Sequence, residues 1–232
     1  MKRGKRYNGA REGIDRDQAY GLDEAITLLK KAATAKFDEG VDIAIRLGVD
    51  PRQPDQMVRG TVDLPHGTGK TARVIAFADG EQAREALEAG AVAAGDDELI
   101  ERVAGGWLEF DAAVATPQMM PRISRPLGRV LGPRGLMPNP RAGTIGTELG
   151  SLVRAIQGGR IDFRVDRTSI VHAPVGRASF EDAQINDNVR ALLDTLVRAR
   201  PASARGQYLR SIALSPTMGP CVRVDPSAFI TA

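Results

Sequence analysis

Between Arg73 and Ala115 the chain repeats one rhythm. Apolar runs at Arg73 to Ala78, Ala91 to Ala94 and Phe110 to Ala115 are separated by helical patterns over Glu81 to Ala89 and Asp96 to Val103. Strand, helix, strand, helix, strand with brief connections permits few folds. Neighbouring parallel strands need a crossover, and helices of this length supply it on the sheet faces. The segment is therefore expected to be a Rossmann-like parallel sheet flanked by helices.

The flanking segments obey a different period. Val41, Ile43, Ile45, Leu47 and Val49 alternate with Asp42, Ala44, Arg46 and Gly48, the signature of a strand with one buried face. Ahead of it, Asp23 to Lys36 places Ile26, Leu29 and Ala33 at helical spacing, with acids first and lysines last, as the helix dipole favours. Val58, Val62 and Leu64 indicate a second strand, which stops at Pro65-His66-Gly67-Thr68-Gly69. After a loop-rich stretch from Pro126 to Gly146, a helix is expected near Glu148 to Gln157, closed by Gly158-Gly159. Alternation resumes at Ile161, Phe163 and Val165 and in Ser169 to Ala173. A helix around Asp187 to Arg200 and strands near Tyr208 to Leu214 and Cys221 to Val224 complete the chain. The economical organisation is one domain from both ends of the chain, residues 1–66 and 160–232, with residues 67–159 inserted and a hinge near 65–69 and 157–160.

Composition narrows the function classes. A 232-residue chain with 42% hydrophobic residues buries real cores. No apolar run approaches a bilayer-crossing length, and the basic start Met1-Lys2-Arg3-Gly4-Lys5-Arg6 has no apolar stretch behind it, so a cytoplasmic protein with no membrane partner is expected. One cysteine, Cys221, excludes an internal disulfide or a multi-thiolate metal site. Net charge is only +3, with 12 cations against 11 acids over residues 1–66, 10 against 11 over 67–159 and 10 against 7 over 160–232. Any polyanion site therefore leans toward the chain ends.

Catalytic signals are weak. Gly67-Thr68-Gly69-Lys70-Thr71 ends like a phosphate-binding loop, but Leu64 occupies the position of the required first glycine, and a strand rather than a helix follows. A nucleotide-dependent enzyme built on the insert is thus the lesser alternative. His66 and His172 lack metal-ligand spacing and read as structural residues, and Asp162 and Asp166 read as salt-bridging carboxylates. Cys221 reads as inert packing in an apolar strand. No cofactor or metal is expected. The run Gly132-Pro133-Arg134-Gly135-Leu136-Met137-Pro138-Asn139-Pro140, with Arg129, Arg134 and Arg141, is either a rigid surface loop or a second contact with RNA or protein.

Several stretches taken together resemble bacterial large-subunit ribosomal protein one, the L-one ribosomal protein family. They are Thr34-Ala35-Lys36-Phe37-Asp38-Glu39, Val58-Arg59-Gly60-Thr61-Val62, Leu64-Pro65-His66-Gly67, Leu127 through Pro140, His172-Ala173-Pro174-Val175-Gly176 and Thr217-Met218-Gly219-Pro220, in the family's order and across nearly the whole chain. The resemblance implies an α/β (α+β) fold of two domains. One is a split terminal-segment domain with a mostly antiparallel sheet plus helices; the other is an inserted Rossmann-like three-layer α/β domain. It also implies a non-enzymatic protein, monomeric outside the ribosome, that binds large-subunit rRNA at the mobile lateral stalk near the tRNA exit site. Assistance to deacylated tRNA and repression of its own operon through a similar mRNA structure are further implications.

Carried onto matching positions, the RNA-contact candidates are Lys36, Phe37, Arg164, Asp166, Arg167, Thr168, Ser211, Thr217, Met218 and Gly219. Structured RNA is read by shape, 2′-hydroxyls and base edges, so hydroxyls and bare backbone can serve where net charge is low. Thr217 suits a ribose hydroxyl, Met218 an irregular apolar surface, Gly219 close backbone approach, and Lys36 and Arg167 phosphates. Phe37 suits either base stacking or the core, with core favoured from sequence alone. Two stretches depart from the family: Gly40 stands where Thr is common, and Arg167 and Ser169 replace the usual Lys and Gly.

Overall fold

The computed structural model describes residues 4–229. In chain order its regular elements begin with α1 (Lys5–Arg11), α2 (Leu22–Ala32), β1 (Gly40–Leu47), β2 (Arg59–Asp63) and β3 (Val74–Phe77). They continue with α3 (Gly80–Glu88), β4 (Ala93–Gly95), α4 (Asp97–Ala104), β5 (Ala112–Ala115), α5 (Met120–Leu131) and α6 (Leu149–Gln157). The last are β6 (Arg160–Arg164), β7 (Ile170–Arg177), α7 (Asp182–Arg198), β8 (Leu209–Pro216) and β9 (Val222–Val224). The chain divides into two compact units: one runs through Gly69 and resumes at Ile161, and the other is Lys70–Arg160.

The first unit is built on a four-stranded sheet of order β7-β1-β8-β9, with every pairing antiparallel, beside a two-stranded sheet of β2 and β6. Val41, Ile43, Ile45 and Leu47 point into a core shared with α2 and α7, while Asp42 and Arg46 face outward. Within this unit the side chain of Asn188 is polar and wholly buried. It accepts from the His66 amide at 3.0 Å and donates to the Gly67 and Val175 carbonyls, both at 2.9 Å. A buried amide so satisfied ties α7 to the chain segment leaving this unit.

The second unit is a three-layer sandwich. Its parallel sheet has the order β4-β3-β5. Val74 and Ala76 pack with α3 and α6 on one face, and Ile75 and Phe77 with α4 and α5 on the other. All four β3 residues are buried, as expected of a parallel strand covered on both sides.

Four local expectations need correction. The helix expected through Lys36 ends at Ala32, because Ala33 leaves helical geometry with ψ 86° and Ala35 finds a side-chain acceptor further on. The expected loop from Pro126 begins inside α5. Ile123, Leu127 and Leu131, spaced by four, are wholly buried. At roughly 1.5–3 kcal/mol each, they outweigh about 3 kcal/mol for Pro126 and about 1 kcal/mol for Gly128 in a helix interior. Helix α7 starts at Asp182 rather than near Asp187, fixed by a capping box between Glu181 and Gln184. Cys221 is exposed just before β9, not packed inside a strand.

Candidate nucleic-acid interface

The loop between α2 and β1 is held from below by a buried acid. Glu39 is 1% exposed, and its carboxylate accepts from the Ala35 amide through Oε1 and the Met218 amide through Oε2, each at 2.8 Å. A buried carboxylate is tolerable only when hydrogen-bonded, and charge-assisted bonds of this kind contribute roughly 1.5–3 kcal/mol each. Beside it, Asp38 accepts from the Ser179 amide and hydroxyl at 3.1 and 2.9 Å. The tip, Lys36 and Phe37, is left exposed.

The partner loop follows β8. Thr217 extends the β1–β8 pairing: its amide donates to the Gly40 carbonyl at 3.0 Å, and its Oγ1 accepts from the Gly40 amide at 3.0 Å and donates to the Gly40 carbonyl at 3.2 Å. Those bonds leave the hydroxyl one outward lone pair, so its remaining capacity is that of an acceptor. Gly40 is coupled to this arrangement, since a Cβ there would lie 3.3 Å from Thr217 Oγ1. Gly219 is required by the protein itself, because a Cβ would meet Pro216 Cγ at 2.5 Å and the Ala32 carbonyl oxygen at 3.0 Å. Its missing side chain lets the loop fold back on α2, a reason different from close approach of a partner. Phe37 and Met218 remain 55% and 49% exposed, so Phe37 is not a core residue. Arg6 adds a cation, donating to the Met218 carbonyl at 3.3 Å.

At the far end of the same sheet, the turn from β6 to β7 is organised by Asp166. Its Oδ1 accepts from the amides of Thr168 and Ile170, each at 2.8 Å, and from the Thr168 hydroxyl at 2.7 Å. The Ile170 amide bond and the Thr168 hydroxyl bond hold the carboxyl below its ordinary pKa. Asp166 therefore shapes a turn rather than pairing with arginine; His172 Nε2 lies 3.8 Å from its Oδ2. Ser169 takes φ 66°, the left-handed conformation natural to glycine, and its hydroxyl donates to the Val49 carbonyl at 2.9 Å. The turn lines a groove of about 810 Å³ with Pro51, Arg52, Met57, Arg164 and Arg167. Arg164 also donates to Met57 Sδ at 3.7 Å. Arg52 and Met57 are additions that sequence patterning missed, since nothing local in the sequence joins them to Arg164.

The ten candidates do not form one cluster. Lys36, Phe37, Thr217, Met218 and Gly219 sit where β1 starts, whereas Arg164 through Thr168 sit near its end, where Ser211 pairs with Arg46. Eight residues of β1 separate the groups, about 23 Å at strand spacing. What joins them is the outward face of the four-stranded sheet. There Arg46 lies opposite Ser211, Ala44 lies between His172 and Ala213, and Asp42 lies between Pro174 and Ser215. α2 and α7 cover the other face. Small side chains with hydroxyls leave this face shallow and accessible to a broad, irregular surface.

The remaining sequence signals stay apart from it. His66 Nε2 lies 3.1 Å from Asp187, and His172 is in a separate place on the sheet face. Residues 67–73 run irregularly into β3, with Gly67 at φ 64° and Gly69 at φ 74°, and no helix begins at Lys70. Among the described residues, no group of His, Cys, Asp and Glu is placed to hold a metal, and no helix is long and apolar enough to cross a membrane. The Arg141 side chain lies outside what is described, as does the chain end from Ile230.

Comparison with known proteins gives these features a context. Residues 29–220 match the family described as "Ribosomal protein L1p/L10e family". Proteins called large ribosomal subunit protein uL1 are 55% identical over 228 residues in Cutibacterium acnes, covering 98% of each chain. The corresponding protein of Nocardioides sp. is 54% identical over 227 residues, covering 98% of this chain and 94% of its own. That of Thermus thermophilus is 52% identical over 225 residues, covering 97% of this chain and 98% of its own. The chain belongs to the ribosomal protein L1p/L10e family, and is a structural protein of the ribosome rather than an enzyme.

Proposed function

We propose that this protein is held in the large ribosomal subunit by binding its rRNA through the outward sheet face and the loops at either end of it. The bound RNA is the mobile lateral stalk near the tRNA exit site, where the protein assists movement and release of deacylated tRNA. Free protein uses the same surface on a similar structure in its own operon mRNA and represses translation. Residues 65–69 and 157–160 are the hinge between the RNA-binding unit and the insert.

The observation that carries this reading is the Glu39 staple. It spends a buried carboxylate on fixing two loops whose tips expose Phe37 and Met218, a cost with no return in core packing. Exposed apolar side chains beside Lys36, Arg6 and the acceptor of Thr217 suit stacking, phosphate and 2′-hydroxyl contacts at one place. Arg164, Arg167, Thr168 and the Asp166 turn contribute the second contact, with Ser211 opposite Arg46 at that same end of β1. Filter binding to the stalk rRNA fragment is the test. Phe37→Ala with Met218→Ala is expected to weaken binding by about 2 kcal/mol, roughly thirtyfold, as stacking losses do. Unchanged affinity in that double variant would remove the surface from consideration.

A further inference from the structure

The chain has six methionines, and the five among the described residues differ in how their sulfurs are placed. Met119 is wholly buried, and its Sδ accepts from Arg122 at 3.6 Å. Met57 is half-buried, and its Sδ accepts from Arg164 at 3.7 Å. Met120 and Met137 are half-buried against the core of the insert. Among the described residues only Met218 is an exposed methionine, and none of them donates to its sulfur. A thioether is oxidised through a sulfur lone pair that the oxidant must reach, so access and an unengaged sulfur mark the reactive methionine.

The backbone beneath this side chain is fixed. The Met218 amide donates to Glu39 Oε2 at 2.8 Å, and its carbonyl accepts from Arg6 at 3.3 Å. The next residue, Gly219, is folded tightly against Pro216 and the Ala32 carbonyl. Held on both sides, Met218 keeps its thioether at the surface, on the loop that Glu39 joins to the one carrying Lys36 and Phe37. An oxygen added there disturbs no core packing. It changes what the surface offers a ligand, because a soft apolar contact becomes a polar acceptor that must be desolvated when RNA covers it.

We propose that Met218 is a reversible oxidation site through which hydrogen peroxide switches off RNA binding in the free protein. The sulfur attacks one peroxide oxygen, so an S–O bond forms as the O–O bond breaks. Sulfur gives up two electrons and the peroxide is reduced; the proton on the transferred oxygen leaves with the departing hydroxide as water. Methionine sulfoxide reductases reverse the change, with a dithiol supplying two electrons and leaving as a disulfide plus water. This rests on the proposed RNA-binding function and adds a control to it. Bound RNA covers Met218, so the mark falls on chains outside the subunit.

The full chain is exposed to hydrogen peroxide, free and bound to the stalk rRNA fragment, as wild type, M218L and C221S. Peptide mass spectrometry should show oxygen added at Met218 about tenfold faster than at Met57, Met119, Met120 or Met137, and about tenfold slower once rRNA is bound. The oxidised wild-type chain should bind the fragment about tenfold more weakly in filter binding. Methionine sulfoxide reductases with dithiothreitol should restore that affinity, and dithiothreitol alone should not. Whatever affinity M218L has, peroxide should leave it unchanged, and C221S should respond as the wild type does. Equal oxidation of Met218 and the other four methionines, the same rate at Met218 with rRNA bound, recovery with dithiothreitol alone, or a loss in oxidised M218L would each overturn the proposal. Selective oxidation with unchanged affinity would overturn it while leaving the RNA-binding reading intact. An unoxidised chain that binds no stalk rRNA would remove the proposed function and this control together.

Discussion

Replacing Glu39 with glutamine preserves side-chain shape and removes half of its accepting capacity. In the native arrangement both carboxylate oxygens accept, from Ala35 and from Met218, at 2.8 Å each. Glutamine offers one carbonyl oxygen and one NH₂, so one backbone N–H must face other hydrogens. The surviving bond loses its charge assistance, and the orphaned donor costs about 1–3 kcal/mol. The two loops should therefore separate more readily by about 2 kcal/mol, roughly thirtyfold in opening equilibrium. Native-state hydrogen exchange reads this directly: the amides of Ala35 and Met218 should exchange about thirtyfold faster, with core amides of the insert unchanged. Affinity for stalk rRNA should fall in parallel, because Lys36–Phe37 and Thr217–Met218 would no longer be presented together. If both amides stay as protected as in the wild type, the carboxylate is not what holds the loops and the reasoning fails.

Substitutions at three further positions probe the frame. Asn188→Ala strands the His66 amide and two carbonyls, and should lower unfolding stability by roughly 3 kcal/mol in urea titration; a change below about 1 kcal/mol would contradict the staple. Tyr208 buries a hydroxyl that has no hydrogen-bond partner among the described residues, and burial raises its pKa from 10.0 to about 12. Because the folded pKa is the higher one, the stability tied to the neutral phenol is intact below pH 10.0 and drains away as pH rises through about 12. Tyr208→Phe should be neutral or stabilising by up to about 1 kcal/mol at neutral pH and should flatten that alkaline loss in thermal melts. At Ser169 the strain of φ 66° opposes the bond to Val49. Ser169→Gly should sit within about 0.5 kcal/mol of wild type, whereas Ser169→Ala, which keeps the strain and loses the bond, should cost about 1 kcal/mol. Equal effects of the two would mean that the backbone is not strained there.

Legibility from sequence followed the range of the interactions. Strand β1 was plain because its burial alternates residue by residue, and the parallel sheet of the insert because each strand is a short apolar run bounded by helical pattern. Helix α5 was hidden because Pro126 and Gly128, on its exposed side, speak louder in sequence than Ile123, Leu127 and Leu131. The capping box at Glu181 and Gln184 was readable and would have placed the start of α7. Glu39 was not. Its meaning lies in a bond to an amide 179 residues away, and no local period marks an acid that precedes a buried strand as a staple. Recognition by motif reached Lys36, Phe37 and Thr217 to Gly219 together, but the reason for Gly219 emerged only from its distance to Pro216 and Ala32.

The claim that the outward sheet face and its loops bind rRNA is tested most directly by hydroxyl-radical footprinting, with and without the stalk rRNA fragment. The molecule carries its own control: Phe37 and Met218 are 55% and 49% exposed in one unit, and Leu87 and Val92 are 47% and 52% exposed in the other. The account predicts that RNA shields Phe37 and Met218 while Leu87 and Val92 stay as reactive as in the free protein. Equal labelling of Phe37 and Met218 with and without RNA, while the RNA is shown to be bound, would contradict it.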